Sequence, residues 1–204
     1  MISEIAYQLI SHIAGHLQFT DKWAGLVVPM KKSVNKIEKI LPVSMPNPDR
    51  CDESDYMDLV PDSTKTSIMY CERIGEVALD MIRKEYYIAS ADLRVVLWYN
   101  LNRMTEGLFV DEGIVASNLI AAIPKRLADN LFTYVTRVNI YPSTVTTGAE
   151  IFNKYTYDEV RTQFVTFPYG AVAVDVNIQY VINKCAENLI EDLKCTEPDY
   201  VADT

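Results

Sequence analysis

His12 and His16 are the chain's two histidines, and a spacing of four on a helix could turn both rings toward one zinc ion. The residue after His12 is Ile13, where a zinc protease would carry its general-base Glu, and no third ligand is placed by spacing; Asp21 is the nearest. Both histidines flank an apolar helical stripe, so packing or rim positions account for them and no metal is expected. A second set, Asp92, Arg94, Asp175, Arg137, Arg83 and Glu85, falls on strand-like stretches and could gather on one sheet face. Mixed charge of this kind can serve acid–base chemistry, but more simply forms a solvated face or a subunit contact. Cys51, Cys71, Cys185 and Cys195 form no CxxC pair and read as reduced, incidental thiols. A serine nucleophile elbow, a phosphate loop and a glycine-rich dinucleotide fingerprint are all missing, and the 7 glycines fall in no such pattern. The sequence therefore predicts no enzyme and no cofactor.

The elements that must position these residues centre on Ala91–Asn100. Leu93, Val95, Leu97 and Tyr99 alternate with Val96 and Trp98, so both faces are partly apolar, as in an inner strand covered on both sides. Residues 2–19 place Ile2, Ile5, Ala6, Leu9, Ile10, Ile13 and Leu17 on one helical face, with Ser3 as N-cap. Trp23–Val28 reads as a short strand ended by Pro29, and Ser33–Val43 as an edge strand in a hairpin with it, guarded by Lys31, Lys32, Lys36 and Lys39. A strand follows at Ser67–Tyr70, a turn at Gly75, and a strand at Val77–Ile88 that hairpins through Ala89-Ser90 into the central one. Asp111–Asn130 reads as a second helix burying Ile114, Val115, Leu119, Ala122, Ile123 and Leu127, with Pro124 kinking it. Tyr134–Tyr141 is a strand, Ser143–Tyr157 a polar loop, and Asp158–Phe164 a helical turn. From Pro168, Val172, Val174, Val176, Ile178, Tyr180 and Ile182 alternate with Ala171, Ala173, Asp175, Asn177, Gln179 and Val181 in the period of a half-buried antiparallel strand. The fold class is α+β, a mainly antiparallel sheet with an N-terminal helix and a second central helix packed on it. The expected organisation is one domain over 1–185 and an acidic tail over 186–204.

Composition sets the bounds. At 204 residues, 49% apolar and 23% charged, the chain can build one well-cored domain. A net charge of -9 opposes unassisted binding to nucleic-acid phosphates. No apolar run approaches a membrane span, and the N-terminus lacks a signal-peptide pattern, so a soluble, intracellular protein is expected. The 13 tyrosines, with few basic residues to form a cationic groove, suit a protein interface better than stacking on single-stranded nucleic acid. Residues 44–66 stand apart as a long acidic excursion. Pro46, Pro48 and Pro61 deny it regular structure, and Asp49, Asp52, Glu53, Asp55, Asp58 and Asp62 hold it in water. Tyr56, Met57, Leu59 and Val60 interrupt the acids as an apolar patch, expected to dock on a neighbouring subunit or an adjacent ring. Phe109, Tyr155 and Tyr157 are further exposed-looking interface candidates.

An apolar helix IAYQLISHIAGHL, a meander containing ADLRVVLWYNL, a helix DEGIVASNLIAAIPKRL and a closing strand FPYGAVAVDVNIQYVINKC follow one another in this order. The order resembles the small α+β ring proteins at the neck and tail of tailed bacteriophages, of tail-terminator or head–tail connector type, with the acidic excursion longer than such a protein needs. The resemblance implies a virion structural protein, made in the host cytoplasm and without catalysis. It would form a hexameric or dodecameric homo-oligomeric ring, contact adjacent portal, connector or tail proteins, and surround DNA as non-specific cargo. Carboxylates on a channel wall would repel that cargo. The alternative is a soluble α+β protein-binding domain that recognises a partner through its acidic loop.

Overall fold

The computed structural model describes residues 2–34, 36–44, 57–82, 86–104, 111–127, 135–156 and 163–183. Helix α1 (Ile2–His16) leads to β1 (Lys22–Val34), β2 (Ile37–Ser44), β3 (Ser67–Ile82) and β4 (Tyr86–Asn100). A single turn α2 (Leu101–Met104), helix α3 (Glu112–Ala122), β5 (Arg126–Leu127), β6 (Val135–Thr147), a 3-10 turn (Ala149–Phe152) and β7 (Tyr169–Asn183) complete the order. The strands form one seven-stranded sheet in the order β2-β1-β3-β4-β7-β6-β5. Every neighbouring pair is antiparallel except β1 and β3, which run parallel. The fold is α+β, mainly antiparallel, with the N-terminal helix and the second helix on the sheet.

The period-2 pattern of β4 becomes a sheet with two covered faces. Leu93, Val95, Leu97 and Tyr99 enter one core with the α1 stripe, with Val115 and Leu119 of α3, and with Val172, Val174, Val176 and Ile178 of β7. Val96 and Trp98 enter a second core on the opposite face with Tyr70, Leu59, Ile151, Phe152 and Tyr155. Ile5, Ala6, Leu9, Ile10 and Ile13 are fully buried, as their helical spacing requires. The helix begins at Ile2, which puts Ser3 inside its first turn rather than at a cap, and it stops at His16, short of residue 19. Its approach to the sheet is close: a Cβ on Gly25 of β1 would lie 2.8 Å from the Tyr7 Cα.

Several boundaries differ from the sequence reading, each for a local reason. Pro29 does not end β1, because it stands opposite Pro42. Pro42 sends its carbonyl outward to the Leu59 N–H at 2.9 Å, so this is a non-hydrogen-bonded pair in which neither proline is asked for an N–H across the ladder. β2 is the expected edge strand, joined to β1 across residues 35 and 36, with Lys36 at φ 66. Gly75, at φ 70, makes a bulge inside β3 and not a turn. β3 runs to Ile82 and the central strand β4 starts at Tyr86, before Ala89-Ser90, which is strand and not a link. α3 ends at Ala122, because Pro124 cannot continue a helix, and Ile114 is 54% exposed on its outer side instead of buried. β6 continues through Pro142 to Thr147, with a bulge between Pro142 and Thr144 that accommodates the proline. The stretch expected as a loop from Ser143 is thus strand for its first five residues, 143–147. Residues 158–162 of the expected helical turn, Arg83, Glu85 and the acidic tail lie outside the described residues.

Candidate functional site

The charged residues singled out in the sequence come together only in part. β4 and β7 pair with Arg94 opposite Asp175 and Asp92 opposite Asn177. Arg94 donates Nε to Asp175 Oδ1 at 2.6 Å and an Nη to Oδ2 at 3.0 Å, a bidentate pair that raises the pKa of the guanidinium. Asn177 donates to Asp92 at 2.8 Å. Arg94 also stands opposite Glu72 of β3, a residue absent from the charged set expected from sequence. Glu72 is 2% exposed and accepts hydrogen bonds from the Tyr155 hydroxyl and, at 2.6 Å, from Lys154. Arg137 is exposed on β6 and joins none of these contacts. Both carboxylates, Glu72 and Asp175, are held by cations and donors, so the row braces the sheet face and offers no uncommitted acid–base pair.

Tyr155 reaches Glu72 because the chain after β6 crosses the whole second face. Gly148, at φ 79, turns the chain off the end of β6 and donates to Ala171 O of β7 at 3.0 Å. Ile151, Phe152 and Tyr155 are then buried across the sheet. At the far side the Thr156 N–H bonds Ile40 O at 3.0 Å, and its hydroxyl accepts the Ile40 N–H at 2.6 Å. The chain returns beside Trp98, whose indole donates to Phe164 O at 2.6 Å and stacks with Tyr169 at 5.6 Å. Tyr155, expected as an exposed interface residue, is 1% exposed: its ring fills the second core and its hydroxyl serves a buried carboxylate.

The excursion meets the same face. Leu59 is fully buried in the second core, with Met57 and Val60 packed partly against it. Met57 O accepts the Ser44 N–H at 2.9 Å, and Asp58 forms a bridge with Val43. Asp58 also takes Lys32 at 2.5 Å through its side chain and Lys22 at 2.5 Å through its carbonyl. The patch expected to dock on a neighbour therefore docks, at Leu59, on its own sheet, because β2 otherwise leaves apolar side chains and backbone groups uncovered. Tyr56, Phe109 and Tyr157 lie outside the described residues.

Together these segments bond one sheet edge over Ile40–Ser44. The outward backbone groups of Ile40, Pro42 and Ser44 on β2 bond Thr156, Leu59 and Met57. The opposite edge differs. β5 pairs β6 only at Asn139 and Val138, and Ile140 donates to Lys125 O at 3.0 Å. Beyond that point, among the described residues, no segment pairs with the outer side of β6. Gly148 bonds inward to β7, so strand alternation sends the N–H and C=O of Val145 and Thr147 outward. Tyr141 and Val145 there are 49% and 44% exposed. This uncharged edge, unpaired among the described residues, is the residue set that sequence reading missed; the β-branched run Thr144–Thr147 was its signal.

The histidines stack at 4.3 Å on the rim of α1, with His16 Nδ1 2.8 Å from His12 O. Burial, then the charge of His16, lowers the pKa of His12. Among the described residues no three His, Cys, Asp or Glu side chains gather to hold a metal ion. No described helix is long and apolar enough to cross a membrane. A scan against models of known protein families finds no match, and no curated protein matches the chain in sequence.

Proposed function

We propose that this chain is a structural protein that joins copies of itself, six or twelve, head to tail into a ring around a channel. Its place would be at the head–tail junction or tail top of a bacteriophage particle. The observation that carries the reading is the asymmetry of the sheet: β2 is bonded along Ile40–Ser44 by the chain's own segments, while among the described residues nothing pairs with the outer side of β6 beyond its contact with β5. An open hydrogen-bonding edge invites another chain, and a contact between two different surfaces closes a cycle or runs on as a filament. The order of elements resembles that of phage neck and tail ring proteins. The net charge of -9 suits a wall past which DNA must slide without adhering. The rival reading, an acidic loop that captures a partner, fits less well over residues 57–66, where Leu59 and Asp58 are engaged within the chain. Negative-stain micrographs of the purified full chain provide the test. Annular particles of uniform diameter are expected; dispersed monomers, also within the parent particle, would overturn the proposal.

A further inference from the structure

A second free edge lies in the same sheet. β1 accompanies β3 only as far as Val27 opposite Glu72. Past that point β3 keeps β4 as its partner while, among the described residues, its other side has none. Glu76, Val77, Ala78 and Leu79 on this stretch are all exposed, with Val77 and Leu79 at 40% and 63%. β3 is thus an apolar, hydrogen-bonding edge distinct from β6.

We propose that the outer edge of β6, Thr144–Thr147, pairs with the free stretch of β3 around Val77–Leu79 from a second copy, so that neighbouring sheets join around the assembly. This rests on the ring reading and names its contact. Three features select a second copy as the occupant. Both edges belong to this chain and differ from each other, as a head-to-tail contact requires. Each carries the exposed apolar side chains that the other would cover: Tyr141 and Val145 on β6, Val77 and Leu79 on β3. Charge favours the match as well. A chain of net charge -9 repels its copies, but Tyr141–Thr147 has no charged residue and lies beside exposed Lys125 and Arg137, while β3 brings exposed Glu76. The β2 edge cannot substitute, because its outward groups at Ile40, Pro42 and Ser44 are already bonded.

Cysteine pairs test the contact in full-length protein whose Cys51, Cys185 and Cys195 are replaced by Ser, with buried Cys71 retained. Val145→Cys and Leu79→Cys are made singly, mixed and combined, then assembled and oxidised. The mixture should give a cross-linked dimer, the double variant a ladder ending at the ring number, and each single variant no cross-link. Thr147→Pro, which deletes one outward N–H and leaves the β7 ladder intact, should keep the monomer's melting temperature and weaken assembly tenfold or more. Rings that form without the mixed cross-link, or that tolerate Thr147→Pro, overturn the edge pairing alone. Self-linking of Val145→Cys would show a two-fold β6–β6 contact and overturn it too. A chain that associates under no condition overturns both this pairing and the ring.

Discussion

At the scale of single residues, Glu72 is a buried carboxylate on the second face. A carboxylate at 2% exposure is tolerable only with its donors in place, and Tyr155 and Lys154 provide them. Tyr155→Phe keeps the ring's packing and removes the hydroxyl, so it should cost about 1–3 kcal/mol in urea unfolding. A variant as stable as the parent would show that Glu72 does not need this donor. His12 gives a pH effect of known sign. Its pKa is lowered from 6.5 in the folded chain, so the unfolded chain binds more protons just below that pH. Folding stability should therefore fall as pH drops through the range below 6.5, and His12→Gln should flatten that slope in melting curves at stepped pH. Equal slopes for parent and variant would exclude His12 as the cause. Chelator should leave the melting temperature unchanged, since His12 and His16 contact each other and the α1 backbone.

At the scale of elements, the second face is assembled from segments that look like loops. Leu59 is fully buried in the second core, so Leu59→Ala should cost about 2–5 kcal/mol, while a solvated loop position would cost nearly nothing. Calorimetry separates the two outcomes. Gly25→Ala should push α1 off β1, because the new Cβ would meet Tyr7 backbone at 2.8 Å; a loss of about 1–3 kcal/mol is expected. An unchanged melting temperature would mean that the helix can shift freely. The contrast explains what the sequence disclosed. α1, β4 and β7 were legible because their apolar residues repeat at 3.6 or 2 over many positions and meet one core. The burial of Leu59 and Tyr155 was not, since each is set by contacts with strands more than ten residues away and carries no local period. The open edge of β6 was hidden by Pro142, which reads as a strand end and becomes a bulge. Glu72 was missed because a lone acid in an apolar stretch gives no hint of the Lys154 and Tyr155 that come to it from the crossing segment.

At the scale of the whole molecule, the sheet has one face under helices and one under crossing chain, its β2 edge is bonded along Ile40–Ser44, and among the described residues β6 and the far stretch of β3 each keep an unpaired side. Such a body would join its copies directionally, as the proposed ring requires. The acidic surface implies a further result: binding to double-stranded DNA should be undetectable at physiological salt, and tight binding in a mobility shift would contradict a non-adhering wall. Assembly into a closed ring can be read from native mass spectrometry of the purified chain over a range of concentrations. A dominant species at six or twelve times the 23.2 kDa chain mass, with no higher ladder, is expected. A monomer at every concentration, or an unbounded series of oligomers, would contradict it.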